Sequence, residues 1–388
     1  MDFNFYIIFF IIIFILIHSY LLYPIIIRIV SYFYKEVKLT NISYPSISIL
    51  ISAYNEEKVI NERIQNIASL NYNFNDIEVL VGSDCSSDTT NEILLKLEKE
   101  YSWLKVFLFT QRRGKLPVLN DLVKKAHNQI LVFTDANTKF IDNSLLLLGL
   151  HFNDLNVGGV SGRLILLESQ KRLNQNIEEK KYWNYETYIK KYEGKCGILI
   201  GANGGIFAIR KNLYTEIPDK YAVTDDLFLS LSILRQKFKF LYAYDATASE
   251  EIPQEMIYEF KRKLRFASTN FQTLFYFKDL LFSKNILLSY AFWSHKVFRW
   301  FSPILFLILI ILNIVLYNYG ELLKILLYIQ IMFYLFSFLG YLLMKFNLNL
   351  KIFSIPFYFT MTNIAIFMGF MKFIFKKQTA FWQSTPRN

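Results

Sequence analysis

The sequence predicts an α/β domain with a mainly parallel sheet, flanked by one N-terminal and about three C-terminal transmembrane helices. Two observations carry this prediction. Four long windows contain no charged residue, in a chain of 388 residues of which 53% are hydrophobic. Between the first window and the other three, short apolar runs alternate with stretches of helical apolar spacing. That alternation is typical of a parallel sheet covered by helices on both faces.

Each of the four uncharged windows is long enough to cross a bilayer, which takes about 20 helical residues. The windows are Phe3–Ile27, Trp300–Gly320, Ile325–Met344 and Ile352–Met371. A buried core helix is the alternative for any one of them, but together they predict a multi-pass protein of the cell membrane. The first window lacks a basic n-region and a small-residue cleavage site, so we expect an uncleaved anchor and not a signal peptide.

Charged residues beside the first window predict its orientation. Arg28, Lys35 and Lys38 follow it, whereas only Asp2 and the amino terminus precede it. The positive-inside rule therefore predicts that the domain after the anchor is cytoplasmic. Three further crossings would leave the C-terminal tail outside, although the basic residues there favour the inside. Either a segment near Pro356 turns back within the membrane, or the number of crossings differs.

The net charge of +11 favours anionic partners. Because the basic residues cluster beside the apolar windows, membrane lipids and an anionic substrate are expected, and a nucleic-acid partner is not. Cys85 and Cys196 form no CxxC motif and no disulfide framework. The predicted domains are an anchor at 1–30, the α/β domain at 45–270, interfacial helices at 271–299 and transmembrane helices at 300–375.

The predicted elements of the α/β domain follow a polar, basic linker at Ser31–Pro45. The strand candidates are Ile47–Ile51, Ile77–Val81, Val106–Phe109, Ile130–Phe133 and, less regularly, Val157–Val160 and the segment IFAIRK. The helix candidates are Glu56–Leu70, Thr89–Tyr101, Gly114–Asn128, Leu173–Tyr192 and Leu227–Leu234.

Polar side chains collect at the C-terminal ends of three predicted strands. They are Ser52, Tyr54, Asn55 and Glu56 after the first strand, Ser83 and Asp84 after the second, and Asp135 and Asn137 after the fourth. Ligands of open α/β sheets bind beyond the carboxyl ends of the strands. We therefore expect these groups to face one crevice.

Asp135 and Asn137 lie two residues apart at the end of a strand, so they project in the same direction. A carboxylate and an amide oxygen are hard ligands that suit Mg²⁺ or Mn²⁺, and such a pair usually shares the ion with substrate phosphates. The working hypothesis is a metal–diphosphate site at Asp135. An Asx-turn at the end of the strand explains the same residues without any function, and this alternative stays open.

Six segments resemble family 2 glycosyltransferases. In chain order they are SILISAYNEEKVI, VGSDCSSDTT, RRGKLPVLN, VFTDANT, GANGGIFAIRK and VTDDLFLSL. The resemblance covers roughly residues 45–300, and it is greatest to membrane-embedded members related to poly-N-acetylglucosamine, hyaluronan and cellulose synthases. It implies a cytoplasmic, Rossmann-like GT-A domain, a nucleotide-sugar donor that is usually UDP-linked, and inverting transfer to a polysaccharide or lipid-linked acceptor.

The resemblance also implies roles for single residues. Tyr54, Asn55 and Glu56 match the nucleotide-binding turn, Asp84 a carboxylate that contacts the base, Lys115 a lysine near the donor, and Asn203 the loop at the sugar and acceptor. Asp135 matches the first aspartate of the DxD metal motif. The third position of that motif is here Asn137, which keeps an oxygen donor but lowers the charge of the site by one.

Two further segments match the acceptor side of the family's site. Asp226 matches the catalytic base of a T-E-D-like motif, with Asp225 as its neighbour and orienter. A helix N-terminus with acidic residues in its first turn is the structural alternative, and both can hold. Arg262 and Arg265 share one helix face where the family usually has Q-x-x-R-W, and they hold either a diphosphate or anionic lipid. The missing glutamine and tryptophan argue against processive polymerisation more than against catalysis.

The chemistry needs one protein carboxylate, because a departing diphosphate requires charge neutralisation and no protonation. A positioned base contributes about 10² to 10⁴-fold in rate. Three functions remain open. The first is extension of a polysaccharide or glycolipid, for which so few crossings predict a companion subunit or a short product. The others are a single transfer to a polyprenyl-phosphate carrier, and a non-catalytic nucleotide-sugar sensor or transporter.

Overall fold

The computed structural model describes residues 2–35, 44–167, 177–219, 221–251, 256–346, 348 and 350–377. Most of the predicted linker Ser31–Pro45, with Lys38, lies outside these residues, as does the start of the predicted helix Leu173–Tyr192. The chain divides into two compact units. The helical unit comprises residues 1–29, 170–186 and 253–378, and the α/β unit comprises residues 30–169, 187–252 and 379–388.

The helices are numbered in chain order. They are α1 Asp2–Ile17, α2 Tyr23–Ser31, α3 Ile60–Ala68, α4 Thr90–Glu100, α5 Lys115–Lys125, α6 Ser144–Leu150, α7 Ile177–Lys195, α8 Asp225–Arg235, α9 Met256–Tyr276, α10 Ile286–Ala291, α11 Phe298–Val315, α12 Glu321–Lys345 and α13 Lys351–Ile374. The strands are β1 Ile47–Ala53, β2 Ile77–Asp84, β3 Leu104–Phe109, β4 Ile130–Thr134, β5 Lys139–Phe140, β6 Val157–Leu167, β7 Phe207–Arg210 and β8 Lys239–Glu251.

The α/β unit contains one eight-stranded sheet in the order β3-β2-β1-β4-β7-β6-β8-β5. β1 to β4 are parallel to one another, whereas β7 runs antiparallel to both β4 and β6. The predicted α/β fold is confirmed. The sheet is parallel in its first half and becomes mixed at β7.

Burial explains which strands the sequence revealed. Every residue of β2 and β4 is buried, and the apolar residues Val79–Val81 and Ile130–Phe133 make these strands recognisable in the sequence. β8 was not predicted, although it is the longest strand described. Its sequence KFLYAYDATASEE mixes buried and exposed positions and contains no apolar run that stands out from its surroundings.

Among the described residues, four helical segments are long and apolar enough to cross a membrane. They are Asn4–Ser31, Ile286–Val315, Glu321–Lys345 and Lys351–Ile374, and they match the four predicted windows. α10 and α11 are joined by the π-helical turn Phe292–Val297. The second apolar segment, Ile286–Val315, therefore begins inside the stretch 271–299 that was predicted to form interfacial helices. The predicted domain boundaries stay predictions. α13 is one continuous helix through Pro356, so the chain does not turn back there.

Candidate functional site

An open cleft of about 420 Å³ lies beyond the carboxyl ends of β1, β2 and β4. It is lined by Ser52, Tyr54, Glu56, Asp84, Arg112, Gly114, Lys115, Asp135, Ala136 and Asn137. These three strands are adjacent and parallel, so their C-terminal ends meet at the same edge of the sheet. The structure thus gathers polar groups that the sequence placed at three separate strand ends.

Lys115, the first residue of α5, bridges two of the predicted acids. Its Nζ lies 2.8 Å from Asp135 Oδ1 and 3.0 Å from Asp225 Oδ2. Burial would lower the pKa of Lys115, but the two carboxylates outweigh burial and raise it above its usual value. The ammonium is therefore a permanent cation, and it joins the end of β4 to the start of α8.

Asp225 and Asp226 occupy the first turn of α8. Asp225 is only 6% exposed. Burial raises its pKa to about 6, assisted by the charges of Asp226 and Asp135 and opposed by Lys115. Asp226 Oδ1 accepts a hydrogen bond from the Leu227 amide at 2.8 Å, so this carboxylate also caps its own helix. The structural interpretation of the acidic pair therefore applies, and the role of Asp226 as catalytic base stays a prediction.

The loop GANGG, predicted to lie at the sugar and acceptor, passes beside Asp226. A Cβ added at Gly204 would lie 3.6 Å from Asp226 Oδ2, which is ordinary contact. Asn203 is the middle residue of this loop. Its side chain is buried and does not line the cleft. Its Oδ1 accepts from Lys190 Nζ at 2.6 Å, and its Nδ2 donates to the Gly162 carbonyl at 2.7 Å. These two hydrogen bonds of Asn203 hold the loop in place. The sequence did not indicate a role for Lys190.

Asp84 holds the turn that presents Lys115. Its Oδ1 accepts from the Arg113 amide at 2.8 Å, and its Oδ2 accepts from the Gly114 amide at 2.7 Å. Gly114 has a φ of 90°, a conformation that glycine adopts without strain. Each carboxylate oxygen keeps a second lone pair, so the predicted contact of Asp84 with a nucleotide base stays a prediction.

The turn after β1 contributes Tyr54 and Glu56 to the cleft, whereas Asn55 does not line it. Asn55 has a φ of 54°, and its Oδ1 accepts from the Ser87 amide at 2.9 Å, which ties β1 to the loop after β2. The Tyr54 ring lies 3.7 Å from the Arg112 guanidinium, in a cation–π contact at the edge of the cleft. Glu56 is 5% exposed.

Glu250, at the end of β8, contacts the predicted metal-binding segment. Asn137 Nδ2 donates to Glu250 Oε1 at 2.9 Å. A carboxylate only accepts, so the amide nitrogen must face Glu250 and the amide oxygen is left for the cleft. Glu250 also supplies a negative charge next to Asn137, the position at which the family's DxD motif has a second aspartate. No sequence pattern indicated Glu250, because β8 itself was not predicted.

Asp135 and Asn137 fit a hard divalent cation by the kind of oxygen that they present to one cleft. Among the residues that the structure describes, no three acidic, histidine or cysteine side chains gather into a metal-binding cluster. Binding of Mg²⁺ or Mn²⁺ by Asp135 and Asn137 stays a prediction.

Arg262 and Arg265 belong to α9 of the helical unit. Arg262 forms an ion pair with the buried Glu179 of the same unit. The Arg265 guanidinium lies 5.0 Å from the ring of Phe266. Their proposed contacts with a diphosphate or with lipid stay predictions.

A family profile described as "Glycosyl transferase family 2" matches residues 48–217. The chain is similar to the beta-monoglucosyldiacylglycerol synthase of Trichormus variabilis, with 26% identity over 62% of this chain and 52% of that protein. It is similar to the poly-beta-1,6-N-acetyl-D-glucosamine synthase of Staphylococcus aureus, with 23% identity over 65% of this chain and 63% of that protein. The chain thus spans between half and two thirds of the length of these relatives.

One solved structure is similar over nearly the whole chain. It is the mannosyltransferase PcManGT from Pyrobaculum calidifontis in complex with GDP-Man and Mn²⁺, with a TM-score of 0.72 over 96% of this chain and 100% of that one. The two sequences are 17% identical, so the likeness concerns the fold. It confirms the expected GT-A architecture with flanking apolar helices.

Proposed function

Residues 48–217 are a glycosyl transferase family 2 domain, and from this premise we propose the activity of the chain. It transfers a sugar, with inversion, from a nucleoside diphosphate donor to a hydroxyl of a growing polysaccharide or glycolipid, and UDP is the donor nucleotide. One observation carries the proposal. Lys115 contacts both Asp135 and Asp225, so the expected metal-binding end and the acidic start of α8 belong to one site. The names of the two relatives, a polysaccharide synthase and a glycolipid synthase, support the acceptor class.

Asp226 is the base in this proposal. It takes the proton of the acceptor hydroxyl, whose oxygen forms a bond to the anomeric carbon on the face opposite the leaving group. The bond from that carbon to the phosphate oxygen breaks, and the nucleoside diphosphate leaves with the electron pair. Asp226 suits the role because one oxygen is fixed by the Leu227 amide while the other faces the GANGG loop. Asp225, its neighbour, is more deeply buried and is engaged by Lys115.

Lys115 and the predicted metal site would balance the negative charge of the donor diphosphate. A diphosphate brings further negative charge to a cleft whose lining already includes the carboxylates of Glu56, Asp84 and Asp135, and Lys115 keeps its proton there. Asp135 and Asn137 are the residues that would hold Mg²⁺ or Mn²⁺. When bound, such an ion neutralises charge on a leaving diphosphate.

The four apolar segments make the protein a multi-pass membrane enzyme in this proposal, with the α/β unit on the cytoplasmic side. Membrane lipids surround the apolar helices, and a growing product requires either a companion subunit or a short chain. A single transfer to a polyprenyl-phosphate carrier is the alternative within the same chemistry. The length of the labelled product distinguishes the two.

The test uses membranes that contain the full chain and a panel of labelled UDP- and GDP-linked sugars. We expect one donor to label a polysaccharide or lipid fraction. Asp226→Asn is expected to lower kcat by about 10² to 10⁴-fold while donor binding is retained, because only the proton acceptor is lost. Unchanged turnover in this variant would remove Asp226 from the role of base. Donor binding without transfer by the wild type would favour the sensor.

A further inference from the structure

Arg63, in α3, is one of the largest fully buried side chains, with 1% of its surface exposed. Its Nη2 donates to Thr134 Oγ1 at 3.0 Å, and its Nη1 donates to Asn66 Oδ1 at 2.7 Å. Arg63 forms no ion pair with any residue in the described part of the chain, and its Nε has no hydrogen-bond partner there. Burial of a cation is costly, and here the neutral groups of Thr134 and Asn66, together with the charge of Asp135, offset that cost.

The guanidinium of Arg63 dictates the orientation of the Thr134 hydroxyl. Arginine only donates hydrogen bonds, so Thr134 Oγ1 must accept from it. The single hydrogen of the hydroxyl is then left for the Gly205 carbonyl, which lies 2.7 Å away. The result is a directed hydrogen-bond chain from α3, through the last residue of β4, to the GANGG loop.

The two ends of this chain lie next to the two halves of the proposed site. Thr134 directly precedes Asp135. Gly205 directly follows Gly204, the residue beside Asp226. A Cβ at Gly205 would lie only 2.8 Å from Thr138 Oγ1, so the loop packs against the segment after β4 with no room to approach further.

Asn66 holds the far end of the metal-binding segment. Its Oδ1 accepts from the Phe140 amide at 2.8 Å, and its Nδ2 donates to the Phe140 carbonyl at 3.0 Å. The Arg63 guanidinium also lies 4.1 Å from the centre of the Phe140 ring. The segment from Thr134 to Phe140 is therefore fixed by α3 at both of its ends.

We propose that Arg63 and Thr134 are positioning residues, which together fix the separation of Asp135 and Asp226. The inference rests on the proposed function, because those two carboxylates define opposite sides of the transferred sugar. Burial lowers the pKa of Arg63 to about 9 and Asp135 opposes that change, so the guanidinium keeps its charge at neutral pH.

Thr134→Val tests the hydrogen-bond chain, since it removes both bonds of the hydroxyl at nearly constant shape. In the full-length protein we expect kcat to fall about 10 to 100-fold, with the KM for the donor changed less than about threefold, because misplacement affects the transition state most. Thr134→Ser keeps the hydroxyl and is expected to restore kcat to within about threefold of the wild type. Thr138→Val is the matched control, because Thr138 is buried on the same segment and its Oγ1 makes no hydrogen bond to any residue that the structure describes.

Amide hydrogen exchange of the same full-length variants separates this inference from the proposed function. We expect faster exchange at residues 201–206 in Thr134→Val and in Arg63→Met, but not in Thr138→Val. Unchanged exchange in both of the first two variants would overturn the positioning role, and so would an equal loss of kcat in Thr138→Val. Altered exchange in a protein that transfers no sugar from any donor would uphold the coupling of Thr134 to the loop, and would reject the proposed function instead.

Discussion

At the scale of single residues, charge balance governs the cleft. Lys115 is one ammonium between two carboxylates, and a third carboxylate, Asp226, follows directly in the chain. Ionising all three carboxyl groups around one cation in a partly buried site is energetically unfavourable, because the like charges repel one another. The effect is greatest at Asp225, the most buried of the three. Burial and the charges of its acidic neighbours raise its pKa to about 6.

The raised pKa of Asp225 gives a pH-dependent prediction. A carboxyl whose pKa is higher in the folded than in the unfolded chain costs stability once it ionises, so its contribution falls between about pH 4 and pH 6 and the cost is complete above pH 6. Asp225→Asn removes this cost. Relative to the wild type, we expect the variant to gain roughly 2 to 3 kcal/mol on going from pH 4 to pH 8.

Thermal or denaturant unfolding of both proteins at the two pH values measures this gain. A stability difference between variant and wild type that is the same at pH 4 and pH 8 would show that Asp225 titrates normally.

At the scale of elements, α5 begins at the cleft and α8 begins at the acid that Lys115 contacts, for different reasons. Acidic residues at the start of α8 lie at the positive end of the helix dipole and stabilise the helix. Lys115 at the start of α5 opposes the dipole of its own helix, and the carboxylates of Asp135 and Asp225 compensate. Its placement is therefore explained by the site and not by the stability of α5.

The end of β8 gives a prediction on metal affinity. Glu250→Gln keeps an acceptor for Asn137 Nδ2 but removes one negative charge beside the expected ligands. We expect the affinity for Mn²⁺, measured by electron paramagnetic resonance with UDP present, to fall roughly 3 to 10-fold. Glu251→Gln is the matched control, because Glu251 is exposed on the same strand and adjacent residues of a strand face opposite sides. An equal loss in both variants would exclude a specific role for Glu250.

At the scale of the whole molecule, the apolar segments set the expected topology. Four of them are long enough to cross a membrane, and an even number of crossings puts both termini on the same side. The positive-inside rule predicts that the amino terminus lies outside, because only Asp2 and the terminal amine precede the first window, whereas Arg28, Lys35 and Lys38 follow it. The basic residues Lys372, Lys376 and Lys377 favour the opposite side for the tail, and Arg387 lies outside the described residues.

A tag at the C-terminus tests the number of crossings. We expect a membrane-impermeant reagent to label it in intact cells, because α13 is continuous through Pro356 and so completes the fourth crossing. A tag in the loop between β3 and α5, a part of the α/β unit, is the control that should require permeabilisation. Labelling of the C-terminal tag only after permeabilisation would mean that one apolar segment does not cross.

The sequence alone determined the α/β unit, the four apolar segments and the gathering of Tyr54, Glu56, Asp84, Asp135 and Asn137 at one edge. These features are local, since a buried parallel strand is an unbroken apolar run and the residue after it is already at the ligand-binding edge.

Only the tertiary structure decided that Lys115 bridges Asp135 and Asp225, that Glu250 holds Asn137, and that Arg63 lies beneath Thr134. Each of these contacts joins residues far apart in the chain. They depend on the mixed half of the sheet and on how α3, α5 and α8 pack, and no local periodicity encodes that packing.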